Sequence, residues 1–263
     1  MLKMKGVSYS YHKNRPIITN LDLDIEAGKI TTIAGPNGCG KSTVLKLASC
    51  LLRPQTGKIF LGDNDISHLS KKSVAREVSV LLQNSQIPDM TALRAVMAAR
   101  YPYQTSFAGY TKAEEEMSEY AMELTGCKEF RHKSMAELSG GERQRVFLAM
   151  IYNQDTPLIL LDEPTTYLDI HVTYEMMELI RSLNREQKKT VVMVLHDLNL
   201  ALQYSDSLVF MRQGGVFDIH TTGDSRILES IRTLFGVEVR TFTDEQNSYY
   251  CFAQSTDTGE LDL

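Results

Sequence analysis

The sequence predicts an α/β fold, a buried and mainly parallel sheet flanked by helices and interrupted by a helical insertion. Three observations carry this expectation. Short aliphatic or β-branched runs at residues 29–35 (KITTIAG), 78–83 (VSVLLQ), 157–164 (PLILLDEP) and 190–197 (TVVMVLHD) each stop at a glycine or at polar residues. Strands buried on both faces read this way when they deliver side chains to the carboxyl edge of a parallel sheet. A glycine-rich loop, GPNGCGKST at residues 35–43, joins the first run to a helix-like stretch, KSTVLKLASCLL, which RPQTG is expected to end. Between Asn84 and Thr156 the periodicity changes from strand to helix.

Inside that insertion, Thr111 and Glu114 have the spacing of a capping box, and Ala113, Met117, Tyr120, Ala121 and Leu124 make one apolar face before Gly126. A second helix is expected from the glycine pair in LSGGERQRVFLAMIYNQ. After Asp197, SLVFMRQGGVFDIH reads as a hairpin around Gly214 and Gly215, and SRILESIRTLFGVEVRTF as a short helix followed by a strand. The organisation expected is an α/β core from residues 1–83 and 157–222, a helical section at 84–156 and a short extension at 223–263.

The chain has 263 residues, 43% of them hydrophobic and 23% charged, with a net charge of -5. That composition is ordinary for a globular protein, and the acidic balance argues against nucleic acid as the main ligand. The four cysteines (Cys39, Cys50, Cys127 and Cys251) are scattered without a C-x-x-C pair, which reads as reduced thiols rather than a disulfide or zinc framework. No apolar run approaches the roughly 20 residues that cross a bilayer, so any membrane-spanning part is expected from other chains.

The loop at residues 35–43 is a phosphate cradle: backbone N–H groups around Gly38 to Lys41 and the positive end of the following helix face a phosphate. Lys41 then reaches the β- and γ-phosphates, and the Ser42 hydroxyl suits Mg²⁺. Asp162, ending an apolar strand, can hold Mg²⁺ through water, and Glu163 after it can polarise an attacking water. In LSGGERQRV, Ser139 with Gly140, Gly141 and Glu142 opens a helix whose N-terminus can stabilise the anion that forms. Cys39 lies at a helix start beside Lys41, so its thiol is expected to have a lowered pKa and to react readily.

With LSGGE in place, the sequence resembles the nucleotide-binding subunits of ATP-binding cassette (ABC) transporters, and the resemblance covers essentially the whole chain. It implies a P-loop NTPase (RecA-like) core with an N-terminal antiparallel β subdomain and an inserted α-helical signature subdomain, and ATP with Mg²⁺ as ligands. It assigns Gly35, Pro36, Asn37, Gly38, Cys39, Gly40, Lys41, Ser42 and Thr43 to ATP, with Tyr11 stacking on adenine and Tyr9 as the competing candidate. Gln83 matches the glutamine that contacts Mg²⁺ and the water, and His196 in VLHDLNLA the histidine that contacts the γ-phosphate. Asp169 in TYLD matches the dimer contact. The family packs two cassettes head to tail, so Ser139 and its glycines serve the ATP of a second copy.

Finer features, EPTTYLDI, HDLNLALQYSD and ARYPY (residues 99–103), resemble the importers for iron–siderophore, haem and cobalamin complexes. That likeness implies two polytopic permease subunits, indirectly a substrate-binding protein, and a place on the cytoplasmic side of the membrane. Residues 100–103 become candidates for the permease contact. The alternative reading is a soluble ABC ATPase that acts as an assembly or scaffold factor without a permease. A third is the detached motor of an exporter.

Overall fold

A computed structural model describes residues 1–13, 15–83, 87–104, 109–166, 168–243 and 248–254. The chain opens with β1 (Leu2–His12) and β2 (Arg15–Ile25), followed by β3 (Ile30–Ala34), α1 (Lys41–Ala48), β4 (Thr56–Leu61) and β5 (Asn64–Asp65). Next come α2 (Lys71–Glu77), β6 (Val78–Leu81), α3 (Ala92–Ala98), α4 (Lys112–Leu124) and α5 (Gly140–Gln154). The remainder is β7 (Leu158–Asp162), α6 (Ile170–Gln187), β8 (Thr190–Val194), α7 (Leu198–Tyr204), β9 (Ser207–Arg212), β10 (Gly215–Thr221), α8 (Arg226–Phe235), β11 (Val237–Thr243) and β12 (Ser248–Gln254).

The central sheet has six strands in the order β10-β9-β3-β8-β7-β6. All neighbours are parallel except the β9–β10 hairpin. Every residue of β3, β7 and β8 is buried, which is why these runs are apolar without alternation. Their side chains still alternate in direction. Val192 and Val194 join a core shared with α1 and the first two strands, while Val191 and Met193 join a second core against α6, α7 and α8. An antiparallel sheet, β2-β1-β4-β5, closes the first core. Helices α3, α4 and α5 pack around a third core that includes Val96, Met122, Met135 and Val146. The architecture is that of a P-loop NTPase with an added antiparallel sheet and a helical layer.

Three local expectations need correction. The capping box of α4 is present, with Thr111 N–H donating to Glu114 Oε2 at 2.8 Å and Glu114 N–H to Thr111 Oγ1 at 3.2 Å. The buried face is nevertheless Ser118, Ala121 and Met122, with Thr125 beyond the helix end, while Ala113, Met117, Tyr120 and Leu124 are exposed. Ser118 tolerates burial because it donates to Glu114 O at 2.6 Å and accepts from Asn153 Nδ2 of α5 at 2.9 Å. Apolar periodicity does not reveal a polar residue that is buried because it is paired.

Helix α1 ends at Ala48, before RPQTG: Ser49 Oγ donates back to Leu45 O at 2.9 Å, and Cys50 takes φ 58°. The single strand expected after α8 is one arm of a hairpin, β11–β12, that pairs Phe242 with Tyr249. Residues 255–263 of the expected extension lie outside the described residues, as does Tyr167 of the TYLD motif.

Candidate functional site

The cradle is positioned by β3. Wedged between β8 and β9, this strand ends at a fixed depth and hands residues 35–40 to the sheet edge. Gly40 precedes α1 at φ 106°, and a Cβ there would sit 2.6 Å from Ile18 Cδ1 of β2, so the position requires glycine. No side chain caps α1, which leaves the first backbone N–H groups of the helix for an anion. Asn37, Gly38, Gly40, Lys41, Ser42 and Thr43 line an open cavity of about 470 Å³ together with Tyr11, Ile17, Gln83, Glu163 and His196. Lys41 is buried, and its Nζ donates to the carbonyls of Gly35 (2.8 Å) and Pro36 (3.0 Å).

Cys39 departs from expectation. It is 6% exposed, belongs to the core beneath the loop and does not line the cavity. Burial pushes its thiol up, a larger effect than the downward pull of the Lys41 charge. The helix start does not activate this thiol, because the side chain lies in the core rather than on the phosphate side. Gly35 and Pro36 likewise do not line the cavity; they supply the carbonyls that hold Lys41.

At the end of β7, Asp162 is 3% exposed and accepts from Ser42 Oγ at 3.0 Å. Burial first, and the neighbouring Glu163 carboxylate second, push its carboxyl up; the Ser42 hydrogen bond, Lys46 and the Gln83 backbone N–H act the other way. Ser42 and Asp162, with Gln83 close by, supply only hard oxygen ligands, which is the donor chemistry that magnesium takes. Glu163 adopts φ 53°, and its backbone N–H donates to Val194 O at 3.1 Å. Its carboxylate is approached from three sides: His196 Nε2 at 2.6 Å from Oε1, Gln83 Nε2 at 2.5 Å from Oε2 and Thr166 Oγ1 at 3.1 Å from Oε2. His196 is presented by the turn into α7, where Asp197 Oδ1 accepts from the N–H groups of Asn199 (2.8 Å) and Leu200 (3.2 Å).

Ser139 caps α5 through a full capping box. Its N–H donates to Glu142 Oε2 at 2.8 Å, and its Oγ accepts from the Glu142 N–H at 3.3 Å. The Ser139 backbone N–H first, and its hydroxyl second, hold the Glu142 carboxyl below the usual range. Ser139 and Gly140 are exposed, and neither they nor Gly141 nor Glu142 line the cradle cavity. Asp169 caps α6, accepting from Val172 N–H at 2.9 Å, and is exposed.

Tyr11 rather than Tyr9 lines the cavity; the two rings meet edge to face at 5.0 Å, with Tyr9 packed on the first core. Two residues of the site escaped sequence reasoning. Ile17 enters because β2 lies over the loop, a contact carried by strand register alone. Thr166 opens the TYLD motif, of which only Asp169 was given a role.

A phosphate loop ahead of a helix, with an acidic pair at the tip of the next strand but one, defines a P-loop nucleoside triphosphatase. Within that class, the family model described as ABC transporter matches residues 18–166. The petrobactin import ATP-binding protein FpuD of Bacillus anthracis is 41% identical over 92% of this chain and 89% of its own length. The iron(3+)-hydroxamate import ATP-binding protein FhuC of Bacillus subtilis is 35% identical over 98% and 96%. A dimeric, post-hydrolysis ATP-binding cassette bound to ADP and Pi superposes with a TM-score of 0.77 at 28% identity, covering 84% of this chain and 99% of that one. The chain belongs to the ABC transporter family and is an ABC-type ATPase.

Proposed function

We propose that this chain is the ATP-hydrolysing subunit of an importer for an iron–siderophore, or related haem or cobalamin, complex that crosses the membrane through a separate permease. One observation carries the catalytic part: Glu163 is held between Gln83 and His196 at a cavity lined by Lys41 and Ser42. In this reading Glu163 accepts the proton of the attacking water as its oxygen bonds to the γ-phosphorus and the bond to ADP breaks. A general base of this kind contributes ~10²–10⁴-fold in rate. Lys41 exchanges the carbonyls of Gly35 and Pro36 for phosphate oxygens, His196 meets the γ-phosphate and Tyr11 stacks on the adenine. Ser42, Gln83 and, through water, Asp162 hold Mg²⁺, which when bound neutralises phosphate charge.

The Ser139–Gly141 helix start, exposed at Ser139 and Gly140, is outside this cavity, which supports its use on the ATP of a second copy, with Asp169 at the contact between copies. The names of the relatives support the cargo class. Among the described residues no helix is long and apolar enough to cross a membrane, which fits a peripheral subunit on the cytoplasmic face. The Arg100–Tyr103 segment suits the permease contact. Arg76 Nε donates to Pro102 O at 2.8 Å and Arg100 Nη1 to Asn153 O at 3.0 Å, tying it to α2 and α5, while Tyr101 stands 67% exposed.

The test is to express the chain with a polytopic permease and substrate-binding protein of the iron-chelate class and to purify it by a tag on the permease. Co-purification, and ATP hydrolysis stimulated by binding protein loaded with a ferric chelate, haem or a corrinoid, are expected. A chain that hydrolyses ATP fully without associating with any permease would instead favour the scaffold reading.

A further inference from the structure

Thr166 is the donor in the site that the loop, the strand end and the histidine do not account for. The chain leaves β7 in a tight turn: Glu163 takes φ 53°, and Thr166 N–H donates to Glu163 O at 3.2 Å. The turn is braced from outside by Gln144 of α5, whose Nε2 donates to Pro164 O at 2.7 Å. Within it, Thr166 Oγ1 lies 3.1 Å from Glu163 Oε2.

The two carboxylate oxygens are held differently. Among the described residues Oε1 faces His196 alone, while Oε2 receives both Gln83 and Thr166. In the reading above, Gln83 and His196 both take up contacts with the nucleotide side of the site, so each leaves or loosens its bond to Glu163. Thr166 shares the turn of Glu163, and its hydroxyl moves with that carboxylate.

We infer that Thr166 is a positioning residue. Its hydroxyl keeps Oε2 of Glu163 tied to the turn when Gln83 and His196 engage the nucleotide, so that Oε1 remains aimed outward as the oxygen that accepts the proton. The inference rests on Glu163 being the base. Without the hydroxyl, the carboxylate of Glu163 gains rotamers when the nucleotide arrives and spends less time in the reactive one.

The experiment measures kcat and KM for MgATP in the full chain for Thr166→Val, Thr166→Ala, Thr166→Ser, Glu163→Ala and the Thr166→Val/Glu163→Ala pair. Loss of one hydrogen bond to a charged acceptor predicts a fall in kcat of about tenfold in the Val and Ala variants, with KM unchanged within about twofold. Serine, which keeps the donor, is expected to restore kcat to within about threefold of the parent, and in the Glu163→Ala background Thr166→Val changes the residual single-turnover rate by less than about twofold. Alanine removes atoms without adding any, so it gives the comparison even where valine disturbs folding. Parental kcat in Thr166→Val and Thr166→Ala, beside an inactive Glu163→Ala, would overturn the role of Thr166 and leave the base assignment standing. An equal loss in both backgrounds, or no rescue by serine, would make the effect structural and overturn it too. Parental activity in Glu163→Ala would remove the base assignment and the inference with it.

Discussion

Glu163 and His196 meet at 2.6 Å although 33 residues separate them in the chain. The contact exists because β7 and β8 are parallel neighbours in register, pairing Asp162 with Val194. Each strand then releases its functional residue at the same edge, Glu163 one residue and His196 two residues beyond that pair. The proposed base and the proposed γ-phosphate sensor are thus placed by sheet register rather than by local sequence.

The first prediction concerns that base. Glu163→Gln keeps the size of the side chain and removes its basicity. It is expected to bind ATP, to hydrolyse it ~10²–10⁴-fold more slowly and to accumulate as a dimer in MgATP, read by size-exclusion chromatography with light scattering. Turnover at the parental rate would show that another group takes the proton.

Asp162 sets up a trade between stability and function. Its folded carboxyl lies above the ordinary range through burial and the Glu163 charge. A raised pKa contributes stability that is fully present below the unfolded value and is lost as pH rises through the folded one. Asp162→Asn removes the buried charge and is expected to raise the thermal midpoint of the nucleotide-free protein at pH 7, by about 2–4 °C for each kcal/mol gained. The gain shrinks as pH falls toward about 4, the ordinary carboxylate value. ATPase activity drops at the same time. A midpoint difference that stays constant from pH 4 to 8 would contradict the assignment.

Cys39 is expected to resist alkylation in the folded chain. Its thiol is buried and pushed up, whereas Cys251 is exposed. Peptide mapping after a limited dose of iodoacetamide should find Cys251 modified and Cys39 at least about tenfold slower, until denaturant opens the core. Rapid labelling of Cys39 in the native protein would show that the loop opens far more readily than its packing implies.

Gly40→Ala tests the cradle. Positive φ and the approach to Ile18 Cδ1 both oppose a methyl group there. The variant is expected to lose about 1–3 kcal/mol of stability and most nucleotide affinity, measured by urea unfolding and by titration with a fluorescent ATP analogue.

The helical layer offers a paired test of which α4 face is the core. Met122→Ala empties a fully buried site and is expected to cost about 2–5 kcal/mol. Tyr120→Ala, on the exposed face, should cost less than about 1 kcal/mol. Denaturant midpoints compare the two directly, and a reversed order would restore the face expected from apolar periodicity.

Much of this protein was legible in one dimension. The loop and its helix, the capping box at Thr111, the helix opened at Ser139 and the β9–β10 hairpin rest on interactions within a few residues, so their residue types advertise them; the buried parallel strands pair with distant segments but show as uninterrupted apolar runs. The motif residues were legible for the same reason, since a cradle, an acidic strand end and a glycine-opened helix each need particular residues at fixed spacing. What local sequence could not decide was who faces whom. The direction of the Cys39 side chain, the burial of Ser118 in place of Tyr120, the pairing of β12 with β11, and the meeting of Gln83, Glu163, Thr166 and His196 depend on contacts across the fold. Burial and hydrogen-bond partners from distant segments set those outcomes, and only the packed chain brings such partners together.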